Sequence, residues 1–287
     1  MRSRPLDLER EIRAAQSVPS RRVAAEAARL EHAQAAACCA VADAMALREP
    51  SSGAGVYVSP AGVAIFAGAG SPLTQGMAMG LRGRVTAAEL DAIEAHLRPA
   101  GIGRCQLEVS AFADPSLHAL LAERRYRINE WQLVWTRPVP RRALDAPAPG
   151  LTVRRVRPGE EELYCRVLLA GALETESVPE AAITALLPYA FAAGQELYLA
   201  WLDAEPIGGA TLAFAEGIAL VNGCAVRPGF RGRGAHSALI HARLERAREL
   251  GFASACSSTM PGTAAHRNIE RHGFTLVYPK VVMSADD

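Results

Sequence analysis

The stretch Cys224–Phe252, CAVRPGFRGRGAHSALIHARLERARELGF, decides how this chain is read. An apolar run ends at Val226, and then Pro228, two arginines and three glycines lead into a helical pattern. A helix start leaves backbone N–H groups without partners and carries partial positive charge, so it attracts an anion. Gly232 and Gly234 lack a Cβ and let the backbone approach that anion, while Arg231 and Arg233 can add charge-assisted hydrogen bonds. Leu239, Ile240, Leu244, Ala247 and Leu250 fall on one face, with Glu245, Arg248 and Glu249 largely opposite. The spacing predicts an amphipathic helix laid on a sheet with its first turn open, a fixed site for phosphate or pyrophosphate. The plainer alternative is a tight strand-to-helix turn carrying two solvated arginines.

Two nucleotide motifs come near and fail. No phosphate loop ending in Gly-Lys-Ser/Thr is present. GRGAHS almost fits a dinucleotide Gly-x-Gly-x-x-Gly, but Ser237 holds the last place, and the next strand, ASACSST, ends without the carboxylate that a ribose needs.

Outward from this turn, the second half reads as a strand at Leu151–Val156, a helix over about 160–172, an acidic loop LETESVPE and a second helix to about Ala192. Three apolar strands follow, ELYLAWL, GGATLAFA and IALVNGCAV. After the helix come ASACSST, a short helix near 263–272 and a last strand FTLVYPKVVM, in which Pro279 marks an edge or a bulge. Strands that alternate with helices at one end and run consecutively in the middle predict an α/β (α+β) fold, a mixed central sheet flanked by helices.

The segment RPVPRRALDAPAPG, Arg137–Gly150, has four prolines and no periodicity, the composition of a linker. It divides the chain into 1–140, a linker 141–150 and 151–287. The first half opens on a long helix, about Arg21–Leu47, and then repeats the element order of the second. A slide of 149 residues lays LRGR (Leu81–Arg84) on FRGR (Phe230–Arg233) and Leu90 on Leu239, a degenerate tandem repeat.

Charge is balanced, 31 basic against 30 acidic side chains for a net +1, which argues against nucleic acid or an anionic membrane as main partner. The six cysteines show no C-x-x-C pair and no metal-ligand spacing, so no metal is expected and reduced thiols in the cytoplasm are. The charged start MRSRPLDLEREIRAAQ has no apolar signal core, and the run AAACCAVADAMAL is too short to span a bilayer.

Taken together, Val226–Ala235, the helix to Gly251 and ERHGF (Glu270–Phe274) resemble the GNAT acetyltransferase superfamily over about Leu151–Met283. The family's Arg/Gln-x-x-Gly-x-Gly/Ala segment, which binds the pyrophosphate of acetyl-CoA, falls on Arg231, Gly234 and His236; His236 stands where Gly or Ala is usual. Gly273–Phe274 is a second landmark. The resemblance implies acetyl-CoA as cosubstrate, contacted by Cys224, Ala225, Val226, Arg231, Gly232, Arg233, Gly234, Ala235, His236 and Asn268. It also implies direct attack by an amine, with the Val226 N–H as oxyanion donor. The usual tyrosine acid is missing, and Ile269 holds its place; Tyr278 could supply a phenol, or be a buried tyrosine bonded to a backbone carbonyl. Glu216 could serve as base, and Glu174 and Glu176 could select a cationic amine. Cys224 reads as a small core residue with nothing adjacent to lower its pKa.

In the first half, Arg125–Tyr126 replaces Gly-Phe, and Val85 stands where Gly234 does, crowding the approach that a diphosphate needs. That half is expected to bind no acetyl-CoA. Two functions follow: an N-acetyltransferase acting on a small-molecule or peptide amine, or a non-catalytic CoA or acyl-CoA sensor or interaction module.

Overall fold

The computed structural model describes residues 21–68, 71–99, 105–144 and 149–285. The charged start and part of the proline-rich linker lie outside the described residues. In chain order the elements are α1 (Arg21–Arg48), β1 (Gly55–Ser59), β2 (Gly62–Phe66), β3 (Gln75–Met77), α2 (Ala87–Leu97), β4 (Cys105–Ser110), α3 (Pro115–Glu123) and β5 (Arg127–Pro138). The second half continues with β6 (Leu151–Arg155), α4 (Glu161–Ala172), α5 (Glu180–Leu186), β7 (Gln195–Leu202), β8 (Glu205–Ala215) and β9 (Ile218–Val226). It closes with α6 (Ala235–Glu249), β10 (Ser254–Thr259), α7 (Ala264–Arg271) and β11 (Thr275–Ala285).

The eleven strands of the described residues join one mixed sheet in the order β1-β2-β3-β4-β11-β5-β10-β9-β8-β7-β6. The two halves are interleaved at its centre. β5, last strand of the first half, pairs with β10, while β11, last strand of the chain, pairs with β4 and β5. Each half therefore completes the other's sheet. Of the two placements expected for Pro279, an edge or a bulge, the structure gives the second. It sits just past a bulge at Leu276/Tyr278, one residue before pairing with β4 begins at Lys280, where no ladder bond to β4 needs its missing N–H.

Helices cover both faces. On one, α6 packs over Leu212, Ala219, Val221 and Trp135, and α2 and α3 pack over Leu107 and Val109. On the other, α4 and α5 cover Leu197 and Leu199, and α1 lies across Val134, Ile218, Leu220 and Cys256. Alanines give α1 a close approach to the sheet, and polar groups fix it there: buried Lys280 donates to Glu108 and to Gln34 Oε1 (3.2 Å) and lies 3.4 Å from Glu31. A buried cation is tolerable only with such partners. On α6, Leu239, Ile240, Leu244 and Ala247 are buried as the periodicity predicts, but Leu250 is 44 % exposed because the helix has ended at Glu249.

Candidate active site

β9 and β10 run parallel and pair only from Ile218–Leu220 to Ser254–Cys256. Beyond that they part: β9 stays with β8, and β10 stays with β5 as far as Thr259. At the fork the Ser257 hydroxyl, rather than a backbone N–H, donates to the Val221 carbonyl (2.8 Å). A bulge on β9 drives the divergence. Ala210 pairs with Cys224 and Thr211 with Asn222, leaving Gly223 unpaired at φ +53°.

Beneath the bulge lies Arg243, a residue that helical periodicity had not singled out. It is 1 % exposed, and its Nη1 donates to the Thr211 carbonyl (2.9 Å) and the Asn222 carbonyl (2.8 Å). Burial holds its pKa below the usual guanidinium range. Tyr164, from α4, shares a 2.7 Å hydrogen bond with the Thr211 hydroxyl. The bulge is thus held from both sides of the sheet.

Past Val226 the chain makes a 3₁₀ turn at Pro228–Phe230 and passes Gly232 (φ +78°) to Gly234 (φ +85°), which begins α6. Both glycines are in the left-handed region, and a Cβ on Gly232 would meet nothing within 4 Å, so they are required by conformation, with open space around that glycine. No side chain caps α6. Its first intrahelical bond is Ala238 N–H to the Gly234 carbonyl, and the N–H groups of Ala235, His236 and Ser237 precede it. They border a cleft of about 640 Å³ between the parted strands. The Arg227 N–H donates to Ile207 on β8 (2.9 Å), so strand alternation turns the Val226 N–H to the opposite edge, the one that β10 has left.

Of the residues read as cofactor contacts, Cys224, Ala225, Val226, Arg231, Gly232, Gly234, Ala235, His236 and Asn268 line this cleft. Arg233 does not; it lies over the Phe230 ring, 5.7 Å from its centroid. The lining also includes Gly171, Ala172, Glu174, Phe230, Ala264, Ala265 and Arg271. Gly171 could have been found from its neighbours: α4 crosses β9 so closely that a Cβ there would lie 2.8 Å from Val226 N.

Four expectations change. Tyr278 is 2 % exposed, away from the cleft, and its hydroxyl donates to the Glu31 carboxylate (2.6 Å) more closely than to the Ala27 carbonyl (3.4 Å). Glu216 sits in the β8–β9 turn at φ +50°, its carbonyl accepting from Arg29, at the other end of the strand from Val226. A nine-residue strand puts it roughly 25–30 Å from the cleft. Glu174 and Glu176 are not lone carboxylates awaiting a ligand amine: still exposed, Glu174 pairs with Arg231 (2.9 Å) and Glu176 with Arg227 (2.8 Å). Arg231 also donates to the Gly171 carbonyl (3.1 Å), tying α4 to the glycine turn. Finally, Cys224 does have a cation beside it, Arg243, yet burial outweighs it and pushes the thiol pKa up. His236 is buried enough that its imidazole is pushed down to about 4, aided by the cations Arg243 and Arg271 and by nearby His272; its Nδ1 has no partner.

The first half repeats the frame without the opening. Arg125 (φ +57°) takes the left-handed position of Gly273 (φ +74°), and Tyr126 N–H bonds Leu121 as Phe274 N–H bonds Ile269. At its glycine turn, however, Val85 is buried with its N–H on the Ser116 hydroxyl (2.8 Å), and Thr86 and Glu89 form a capping box on α2. Gly76 pairs with Leu107 where the other half forks; a Cβ there would lie 2.4 Å from the Leu107 side chain. The donors are spent and the gap is filled.

Among the described residues no helix is long and apolar enough to cross a membrane. Residues 165–274 match the family model described as the acetyltransferase (GNAT) family. Among curated proteins, none matches significantly. Solved structures share the fold. A GCN5-related N-acetyltransferase from Kribbella flavida is 17 % identical, with TM-score 0.63 over 91 % of this chain and 95 % of its own. A GCN5-related N-acetyltransferase from Sphaerobacter thermophilus is 19 % identical, with TM-score 0.52 over 80 % and 75 %. A tandem GNAT protein from the clavulanic acid biosynthesis pathway is 16 % identical, with TM-score 0.55 over 78 % and 74 %. Residues 165–274 thus carry a domain of the acetyltransferase (GNAT) family, which supports an acyltransferase, and the chain has the fold of solved GNAT structures, a tandem one among them.

Proposed function

We propose that the second half binds acetyl-CoA and transfers its acetyl group to a primary amine by direct attack. The observation that carries this reading is the uncapped first turn of α6, whose N–H groups border the cleft left where β9 and β10 part. The residues fit a diphosphate: no side chain caps those donors, and a Cβ on Gly234 would have only the Leu151 side chain, at 3.9 Å, near it.

The chain's own groups then have defined tasks. Cys224, Ala225 and Val226 offer main chain along the free edge of β9 to the pantetheine arm, and the Val226 N–H takes the charge that develops on the thioester oxygen. Asn268 reaches the CoA chain from α7. No side chain of the cleft is placed as a general acid. A CoA thiol with a pKa of about 8.5, by analogy with cysteine, leaves as thiolate without one. The amine enters neutral and, after attack, passes its proton to solvent water at the mouth of the cleft as the thiolate leaves.

The same reading keeps the partition 1–140, 141–150 and 151–287, with the first half binding no acetyl-CoA and buttressing the second through the shared strands. It places the protein in the cytoplasm, with acetyl-CoA and a small-molecule or peptide amine as partners, and neither nucleic acid nor membrane. Thiol release from acetyl-CoA with a panel of primary amines tests it: turnover with at least one amine supports transfer, and CoA binding without turnover on any amine would favour a sensor.

A further inference from the structure

The cleft is electrically lopsided. On its α4 side the lining arginine is compensated: Arg231 pairs with Glu174, and just outside the lining Arg227 pairs with Glu176 and Glu205. On its α7 side the lining arginine is not. Arg271 lines the cleft, and the side-chain bond the structure gives it is to the neutral amide oxygen of Asn268. No carboxylate pairs with it among the described residues. Beside it stands His236, whose Nδ1 is buried without a partner and whose charged neighbours are all basic.

The cleft-facing stripe of α7 is graded. Ala264, Asn268 and Arg271 follow one another at helical spacing, small near the parted strands, then polar, then cationic at the last turn. Alanine leaves room for a bulky ligand body beside it. Asn268 holds the guanidinium by a neutral acceptor, which orients Arg271 without cancelling its charge, and the remaining N–H groups are free to fork onto an anion. An unpaired cation at the end of a site whose α6 turn already offers an anion cradle implies a second, separate anionic group on the ligand.

Resting on the reading that the cleft takes CoA, we infer that Arg271, with Asn268 and His236, forms a second phosphate subsite that holds the ribose 3′-phosphate. CoA carries two separated phosphates, a diphosphate and a 3′-phosphomonoester. The α6 turn takes the first and Arg271 the second. A phosphomonoester with close to two negative charges at neutral pH suits a planar guanidinium that can bond it twice. The subsite makes the site selective for the 3′-phosphorylated cosubstrate over its dephospho form.

Calorimetric titration of the full chain with CoA and with 3′-dephospho-CoA, in parallel with Arg271→Ala, tests this. Arg271 is exposed, so the variant keeps the fold, and its melting temperature verifies that. The parent binds CoA at least about tenfold more tightly than dephospho-CoA, the least expected for hydrogen bonds to charged groups. Arg271→Ala binds the two equally, with dephospho-CoA affinity within about twofold of the parent's. Equal binding of both ligands by the parent, or a preference that survives in Arg271→Ala, overturns the subsite while leaving CoA binding intact. Failure of the parent to bind either ligand overturns the reading it rests on, and the subsite with it.

Discussion

Replacing Arg243 with methionine tests whether the fork is held open from below. The guanidinium supplies both hydrogen bonds to the carbonyls that the bulge presents inward, at 2.9 Å from Thr211 and 2.8 Å from Asn222. Methionine fills much of the same volume, so no large cavity opens, but two half-buried carbonyls lose their donor. Each orphaned group costs about 1–3 kcal/mol, so the loss lies near 2–6 kcal/mol. Removing a desolvated cation that has no carboxylate partner returns part of it. The orphaned carbonyls outweigh that return, and the expected net is about 2–4 kcal/mol of destabilisation. At about 2–4 °C per kcal/mol the melting temperature falls by roughly 4–16 °C. The bulge can then relax towards regular pairing, β9 zips further along β10, and CoA affinity drops by more than about tenfold. Thermal unfolding and calorimetry with CoA read both effects. A variant as stable as the parent that binds CoA equally well would refute the idea that Arg243 holds the cleft.

Three other perturbations report on neighbouring parts. Gly171→Ala puts a methyl 2.8 Å from Val226 N and 2.9 Å from the Ala225 Cβ. Backbone cannot yield as a flexible side chain would, so denaturant titration should show about 1–3 kcal/mol of destabilisation, with weaker CoA binding; an unchanged midpoint contradicts the close crossing of α4 and β9. Glu174→Gln removes a carboxylate from the rim of an anion site and frees Arg231, so CoA should bind about two- to fivefold more tightly at low salt; weaker binding would mean that Glu174 holds Arg231 in place for the ligand. His236 titrates at about 4 in the native state against an ordinary 6.5. The unfolded chain therefore takes up that proton first, and the stability this group contributes at neutral pH is lost as pH falls from 6.5 towards 4, by at most about 3 kcal/mol. Unfolding of His236→Gln across that range should show a flatter pH slope than the parent, and an identical slope would show that His236 is not the group responsible.

The glycine turn was legible because its chemistry is local. Helix starts, left-handed glycines and amphipathic spacing are set within a few residues, so Gly232, Gly234 and the buried face of α6 could be read directly. The shared frame of the two halves was legible for the same reason: a strand, a glycine turn and a helix recur at a fixed offset, and a left-handed residue recurs at Arg125 and Gly273, one residue off that register. What escaped depends on partners far along the chain. Arg243 looks like an ordinary helix arginine until the bulge at Gly223 is folded over it. Glu174 and Glu176 look like a solvated acidic loop until Arg231 and Arg227 arrive from more than fifty residues away. Tyr278 faces Glu31 only because β11 is carried into the middle of the sheet, across the first half's last strand, which no local pattern in either segment encodes. Glu216 was misplaced because a hairpin turn reveals its conformation, whereas the sequence does not say which end of the strand meets the ligand.

On the proposed reading, diphosphate oxygens rest on the open first turn of α6 and on no second such turn among the described residues. Calorimetric titration with CoA of the parent and of Gly234→Val, each checked for folding by its melting temperature, tests it directly. One CoA per chain is expected for the parent, with a loss of at least about tenfold in affinity when a β-branched side chain is forced into that left-handed position. Two CoA per chain, or undiminished binding by a folded Gly234→Val, would contradict it.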